Sequence, residues 1–559
     1  MTSVPTQAHR GARNTVRLRL DGWTVAAALV AALPAVPILS LALTALGGSF
    51  GGWSELAAYV LPAAIRDSAI LLAGVGLFAA VVGCGAAWLV TAYDFRGRRS
   101  LEWMLLLPLA IPTYVAAYAW LDLTHPLGPL QSGLRALLGF TSPRQFRLPD
   151  IRGMGGAILL LGLVLYPYVY LTVRATFLAQ SATLIEAART LGVARRDVFR
   201  RVALPLARPA LALGVSLALM EALNDIGASE FLGVKTITVS VYSTWVTRND
   251  LPGAAQIALA MLLFVTALVF VERWGRRGQR YAASARNARP TRPMRLTGWR
   301  GVAAFAVGFT PVLLGFLAPA THIAVQAVKR LDFAGLSGSI IREVLNTVAV
   351  ATFATVVIVA LGAVAAYAAR LRPAGAAPLL ARVASLGYAV PGTVVVIGLI
   401  GPVAALDRGF AAAGGWLGVA TGLVMIGSGA ALILAYAVRF LAIGVGGAEA
   451  GLARTPLALD GAARTLGDTP FAALRRIHLP LARGSIAAAA ILVFVDVMKE
   501  LPATLLIRPL NFETLATHLY AEAARGTYED GAVAALIIVA VGVLPVILLS
   551  RIGTTAAKS

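Results

Sequence analysis

The stretch EAARTLGVARRDVFRRVALPLARP, from Glu186 to Pro209, returns as GAARTLGDTPFAALRRIHLPLARG from Gly461 to Gly484. The two copies align without a gap, so each residue of the first has its counterpart in the second at one constant offset. Both are polar and rich in arginine, within a 559-residue chain that is 58% hydrophobic and 13% charged. A loop repeated at half the chain length predicts that the whole chain is a duplication.

The composition predicts an all-helical polytopic membrane protein, because soluble domains carry about 25% charged residues. Apolar runs of about 20 residues, the length that crosses a bilayer as a helix, recur along the chain. The first run is too long for the core of a signal peptide, so we predict that it is a retained anchor. We predict about 12 spans, over residues 23–46, 67–92, 102–123, 154–174, 210–228, 253–272, 301–325, 344–368, 383–401, 417–438, 485–501 and 531–550.

The duplication divides the spans into two sets of six. An even number of spans returns the chain to the side where it began, so the two repeats should be parallel and related by an axis along the membrane normal. The predicted parts are a leader (1–22), a first repeat (23–272, repeated loop about 176–209), a basic linker (273–300), a second repeat (301–550, repeated loop about 441–484) and a tail (551–559).

The net charge of +22 is concentrated in the loops that this topology places on one side. Short loops rich in lysine and arginine stay in the cytoplasm, so we predict that both termini are cytoplasmic. Anionic membrane lipid accounts for the positive charge, and we predict no nucleic-acid partner. The single cysteine, Cys84, can form no intramolecular disulfide.

Each repeated loop carries a small-residue helical turn, a glycine that permits a bend, and a second short helix before the next span. The glycines are Gly192 and Gly467, and we expect Pro205 and Pro480 to break the helical pattern. Such a segment suits either a docking element or an amphipathic helix lying on lipid. Repetition of the same marks in both copies favours docking.

At these residues the chain resembles the EAA loop of binding-protein-dependent ABC import permeases, and its two loops resemble the fused bacterial iron(III) permeases. The resemblance implies the type I importer permease fold and a loop that docks on an ATPase subunit. The second copy departs from the pattern, because Gly461 replaces the glutamate and the nearest acid is Asp460. By this resemblance the ATPase-coupling residues are Glu186, Ala187, Ala188, Gly192, Pro205, Asp460, Ala462, Ala463, Gly467 and Pro480.

The resemblance also implies the partners: two copies of an ABC ATPase subunit, a periplasmic or lipid-anchored substrate-binding protein, and a bacterial cytoplasmic (inner) membrane. ATP and magnesium are expected on the ATPase, since no lysine of this chain follows a glycine as a P-loop requires. We predict that the chain binds no cofactor or resident metal, has no catalytic residues and is not itself an enzyme.

Acidic residues within the spans are the candidates for a translocation path, because carboxylates are costly in a membrane. Glu221 and Asp225 are expected on one face of the fifth span, with their duplicates Asp496 and Glu500 on the eleventh. Ser229 and Thr504 form a further duplicated pair. The alternative is structural: these acids cap helices or pair with neighbours such as Lys499 at a gate.

Hard cations prefer oxygen ligands, so the acidic lining favours iron(III) as cargo. The segment DVMKELPATLLIRPLNFETLAT, from Asp496 to Thr517, also resembles iron(III) permeases. Other permease substrates, namely thiamine, a polyamine or an oxyanion, stay open. A proton-coupled secondary transporter and a membrane scaffold without a pore are the competing classes, and the duplicated loop weighs against both.

Overall fold

The computed structural model describes residues 21–47, 53–179, 190–192, 194, 197–276, 293–418 and 421–556. These residues are almost entirely helical, as predicted. The strands among them are two short segments, β1 (Tyr93–Asp94) and β2 (Met294–Arg295), which pair in parallel. This pairing attaches the chain that enters the second repeat to the end of a first-repeat helix.

The first repeat combines helices long enough to span a membrane with several short helices. Its helices are α1 (Gly22–Gly47), α2 (Trp53–Ala92), α3 (Arg98–Met104), α4 (Thr113–Leu123), α5 (Pro129–Leu138), α6 (Met154–Ala179), α7 (Phe199–Asn224), α8 (Gly227–Phe231), α9 (Ile237–Val246) and α10 (Leu251–Arg276).

The second repeat likewise combines long and short helices. Its helices are α11 (Trp299–Ala334), α12 (Gly338–Leu371), α13 (Ala377–Ala384), α14 (Gly392–Trp416), α15 (Gly429–Leu452), α16 (Leu457–Thr465), α17 (Pro470–Met498), α18 (Pro502–Ile507), α19 (Leu515–Arg525) and α20 (Tyr528–Ala556).

Within the described residues, ten helices are long and apolar enough to cross a membrane. If the bent pair Arg98–Ala110 and Thr113–Leu123 is counted as one span, the described residues hold up to eleven spans. A shorter apolar helix, Leu251–Ala267, lies at the predicted sixth span. Every predicted span therefore contains at least part of a helix, and the predicted fold class is confirmed.

Several predicted boundaries were wrong. The fifth span ends at Asn224 rather than 228, and the tenth helix begins at Gly429 rather than 417. The third and ninth spans are interrupted before Thr113 and Gly392. The interruptions occur at duplicated Ile-Pro and Val-Pro steps, since a residue before proline is disfavoured in helical conformation.

The two repeats interlock rather than lying side by side. Helix α1 of the first repeat packs on α14 of the second, where Gly398 leaves room for the backbone of Pro37. Reciprocally, Gly315 of α11 faces the backbone of Leu163, and the Trp120 indole donates a hydrogen bond of 3.2 Å to the Leu314 carbonyl. One apolar core therefore contains residues of both repeats.

Candidate translocation cavity and coupling loops

A cavity of about 110 Å³ lies where the duplicated helices α7 and α17 end. At roughly 30 Å³ per water molecule, this conformation has room for a small ion with a few waters. Both repeats contribute polar side chains. The polar lining includes Thr113, Tyr114, Tyr168, Glu221, Asn224 and Asp225 from the first repeat and Tyr388, Arg439, Asp496, Lys499 and Glu500 from the second.

The four predicted path acids all line this cavity, but they are of two kinds. Helix α7 ends at Asn224, and Asp225 beyond it has extended backbone, with ψ of 124°. Glu500 likewise follows the end of α17 at Met498. The expectation that each pair of acids lies on one helix face was therefore wrong, because the second acid of each pair lies past the helix end.

The Asp225 carboxylate accepts hydrogen bonds from the turn that follows it. Its carboxylate accepts hydrogen bonds from the Ser229 backbone amide at 2.8 Å and the Ser229 hydroxyl at 3.2 Å. The Thr113 hydroxyl donates a third, at 2.6 Å. A carboxylate that accepts otherwise unpaired amides of a first helical turn is a cap, so Asp225 and Ser229 hold α8 in place.

Glu500 has the equivalent role in the second repeat. It accepts hydrogen bonds from the backbone amides of Ala503 (2.8 Å) and Thr504 (3.0 Å) and from the Thr504 hydroxyl (2.7 Å). Arg439 adds an ion pair at 2.5 Å, with only 11% of its side chain exposed. Glu500 and Thr504 thus fit the structural alternative left open by the sequence.

One difference between the two caps is the residue that follows the helix break. Asp225 contacts Thr113, whereas the equivalent residue beside Glu500 is Gly392, the first residue of α14. A Cβ atom on Gly392 would lie 2.6 Å from a terminal nitrogen of Arg439 and 3.0 Å from the Glu500 carboxylate. Glycine therefore leaves the space through which Arg439 reaches Glu500. The Gly392 amide also donates to the Asn224 side chain, at 2.9 Å, which ties the two repeats together.

Glu221 and Asp496 are the remaining duplicated pair, and they lie within α7 and α17 rather than past their ends. Glu221 lines the cavity beside Tyr388, and the positive charges of Arg439 and Lys499 act on its carboxylate. Asp496 pairs with Lys499 at 2.8 Å, and these two side chains are 24% and 31% exposed. Glu221, Asp496 and Lys499 all line the cavity.

Counted together, four carboxylates and two cationic side chains line the cavity, so its formal charge is negative. Sequence analysis missed Arg439. A single arginine within the apolar run of α15 was the available signal. Among the residues that the structure describes, no group of three or more histidine, cysteine, aspartate or glutamate side chains could hold a metal ion.

A second cluster connects the repeats near α8 and α19, beyond the ends of α7 and α17. The Tyr520 hydroxyl donates a hydrogen bond to Glu230, and the Tyr520 ring stacks on Phe231 at 5.5 Å between centroids. Nearby, His518 pairs with Glu343 at 3.2 Å, and this hydrogen bond raises the pKa of His518. The contacts of Tyr520 with Glu230 and Phe231 therefore join the two repeats beyond the ends of α7 and α17.

The first repeated loop is described only in part. Glu186, Ala187 and Ala188 lie outside the described residues, so their predicted roles stay predictions. Gly192 has a positive φ of 88°, and its duplicate Gly467 has 82°. The adjacent leucines, Leu191 and Leu466, are both 85% exposed. Sequence analysis passed over these two apolar side chains, although each directly precedes the motif glycine.

The second loop contains α16, which carries Asp460, Ala462 and Ala463. The Asp460 carboxylate is turned inward, where it pairs with Arg370 at 2.7 Å and with His478 at 2.8 Å. Arg370 also donates to the carbonyls of Leu452 (2.5 Å) and Thr455 (2.9 Å). Asp460 therefore anchors the loop to the end of α12 in this structure.

Pro205 and Pro480 do not interrupt their helices, contrary to expectation. The helices Phe199–Asn224 and Pro470–Met498 run through them. A π-helical turn precedes each proline, over Phe199–Ala203 and Leu474–His478. The wider turn accommodates a residue that lacks an amide donor. The loops are thus continuous with the helices that lead to the cavity.

Comparison with known proteins agrees with this architecture. The family described as "Binding-protein-dependent transport system inner membrane component" matches residues 74–281. The Fe(3+)-transport system permease protein FbpB 2 of Haemophilus influenzae is 22% identical over 87% of this chain and 89% of its own length. The sulfate permease protein CysT of Salmonella typhimurium is 31% identical over 36% of this chain and 73% of its own. The molybdenum permease protein ModB of Escherichia coli is 28% identical over 35% and 86%.

Proposed function

Since the chain belongs to the family of binding-protein-dependent transport inner membrane components, we propose that it is the fused permease subunit of an ATP-driven iron(III) importer. The observation that carries the substrate proposal is the cavity between the repeats, where four carboxylates outnumber two cationic side chains. A negative, oxygen-rich lining suits a hard cation. The similarity to an iron(III) permease along most of both chains supports the same substrate.

Membership of this family supports a proposal for the partners. We infer that two copies of an ABC ATPase, with ATP and magnesium, dock on the two repeated loops from the cytoplasm, where both termini lie. A periplasmic or lipid-anchored binding protein would deliver the cargo to the opposite face of the inner membrane. The exposed Leu191 and Leu466, each beside a bend at glycine, support the docking role.

Transport is proposed to work by alternating access, driven through α7 and α17. Each of these helices begins at a repeated loop and ends at the cavity, so a displacement of the loop moves the cavity wall. Their ends also carry the contacts between the repeats, including the bond between Asn224 and the Gly392 amide. Closure of the two ATPases would rearrange these contacts and the Tyr520–Glu230 cluster, opening the cavity alternately to each side.

An oxyanion is the second candidate cargo, favoured by one observation: Arg439 and Lys499 bring two positive charges into the cavity. The molybdenum and sulfate permeases among the relatives point the same way. Arg439 is however held by Glu500, which leaves Lys499 as the cation with the more exposed side chain of the two. We therefore place iron(III) first.

The substrate is tested by uptake into proteoliposomes that contain the chain, its ATPase and its binding protein. We expect ATP-dependent accumulation of radioactive iron(III), with no accumulation of sulfate or molybdate. Glu221→Gln with Asp496→Asn should reduce iron uptake strongly while the complex still assembles. Accumulation of an oxyanion instead of iron would show that the proposed cargo is wrong.

A further inference from the structure

The two cationic side chains of the cavity are held very differently. Arg439 is nearly buried, forms an ion pair of 2.5 Å with Glu500 and lies over the Phe440 ring at 5.1 Å. Lys499 forms one ion pair, of 2.8 Å with Asp496, and the side chains of both residues are partly exposed. Arg439 is therefore part of the framework, whereas the Lys499 ammonium can leave without breaking a helix cap.

The duplication shows that folding does not require a cation at this position. The equivalent residue of Lys499 is Asn224, which ends α7 and joins the repeats through Gly392. Helix α7 thus ends at the same cavity with a neutral residue beside Glu221. At this position only the second repeat carries a positive charge. The Lys499 ammonium nevertheless acts on Glu221 of the first repeat as well as on Asp496 of the second.

We propose that the Lys499 ammonium is a displaceable counter-cation, which neutralises Glu221 and Asp496 in the empty cavity and is displaced when a multivalent cation enters. This inference rests on the proposed function, because it requires a cationic cargo. In a low-dielectric site, two carboxylates attract a trivalent ion more strongly than they attract a single ammonium group. A monovalent ion is not, since the tethered ammonium competes at high effective concentration. Lys499 would therefore exclude sodium and potassium and return to help release the cargo.

The test uses terbium(III), a trivalent oxygen-binding ion whose luminescence is sensitised by nearby tyrosines, here Tyr168 and Tyr388. Binding is titrated on the full-length chain purified in detergent. We expect Lys499→Gln to bind terbium about tenfold more tightly than the unaltered chain, because its competitor is gone. Lys499→Arg keeps the charge and should bind as weakly as the unaltered chain.

Matched controls separate this site from the rest of the surface. Lys235 is an exposed lysine outside the cavity, so Lys235→Gln should leave terbium binding unchanged. Adding Glu221→Gln and Asp496→Asn to Lys499→Gln should abolish the gain. Unchanged affinity in Lys499→Gln, or a gain that survives loss of both acids, would overturn the proposal. Failure of the proposed cargo is seen separately, as absent iron uptake by the unaltered complex.

Discussion

The four acids that line the cavity divide into two kinds by what they contact, and this division is testable. Asp225 and Glu500 accept hydrogen bonds from the first turns of α8 and α18, whereas Glu221 and Asp496 lie within α7 and α17 and face the cavity. Removing a cap costs about 1 kcal/mol and breaking a buried ion pair more. Asp225→Asn and Glu500→Gln should therefore lower the melting temperature of the purified chain.

The two acids that lie within helices, Glu221 and Asp496, are called the cavity acids and should show the opposite result. Glu221→Gln and Asp496→Asn are expected to retain the melting temperature and lose iron uptake, measured in proteoliposomes. If Asp225→Asn melted normally, or Glu221→Gln unfolded the chain, the assignment of caps and cavity acids would be wrong.

Gly392 gives a second test at the residue scale. A methyl group at this position would push the Arg439 guanidinium away from Glu500. Gly392→Ala should lower thermal stability, by at most the roughly 3 kcal/mol that loss of a buried ion-pair partner costs. Gly409 lies in the same helix with no atom near its hypothetical Cβ, so Gly409→Ala is the matched control and should melt unchanged or slightly higher. Equal melting of both variants would contradict the role of Gly392.

His518 predicts a pH dependence of the stability of the chain. Its hydrogen bond with Glu343 raises its pKa above the ordinary value near 6.5. A raised pKa in the folded state means that the stabilisation is fully present below the ordinary value and is lost as the pH rises through the raised one. The melting temperature should fall above about pH 6.5 for this reason. His518→Gln should remove that part of the dependence, and an unchanged profile would contradict it.

At this scale the sequence predicted positions better than roles. The duplicated acids were found because they recur at one offset, and all four line the cavity. Their division into caps and cavity acids depends on where α7 and α17 end, and the apolar pattern continues past Asn224 without a stop signal. Arg439 was missed because its partner, Glu500, lies 61 residues away in sequence.

At the scale of elements, the repeated loops join the helices that line the cavity. Their exposed leucines, Leu191 and Leu466, are the expected contacts with the ATPase. Leu191→Glu with Leu466→Glu should abolish ATPase binding, because a carboxylate would have to be buried at the docking interface. Leu510 is 94% exposed outside the repeated loops, between α18 and α19, and Leu510→Glu serves as control. ATPase binding that survives the double change would contradict docking at these leucines.

Helix boundaries show where elements were predictable. Span-length apolar runs located a helix in every predicted span, since hydropathy reports burial in lipid. The breaks before Thr113 and Gly392 fall at a duplicated proline, and the hydropathy of the flanking residues does not reveal the interruption. The start of α15 at Gly429 was missed because residues 417–428 are as apolar as the helix that follows.

At the scale of the whole molecule, the repeats share one core and exchange their first helices. Helix α1 packs on the second repeat and α11 on the first, so neither repeat buries its apolar surface alone. The duplication is nevertheless asymmetric in its chemistry. Arg439, Lys499 and the inward-turned Asp460 belong to the second repeat. A fused chain permits such asymmetry, because each half can change independently.

The central claim is that this chain is a permease driven by two ATPases through its duplicated loops. The most direct test is purification of the full-length chain from its native cells, followed by measurement of co-purifying subunits and of ATP hydrolysis. We predict two ATPase copies per chain, and loss of coupled uptake in Gly192→Pro with Gly467→Pro, because proline cannot adopt the positive φ of either glycine. A chain free of any ATPase that transports under a proton gradient alone would contradict the account.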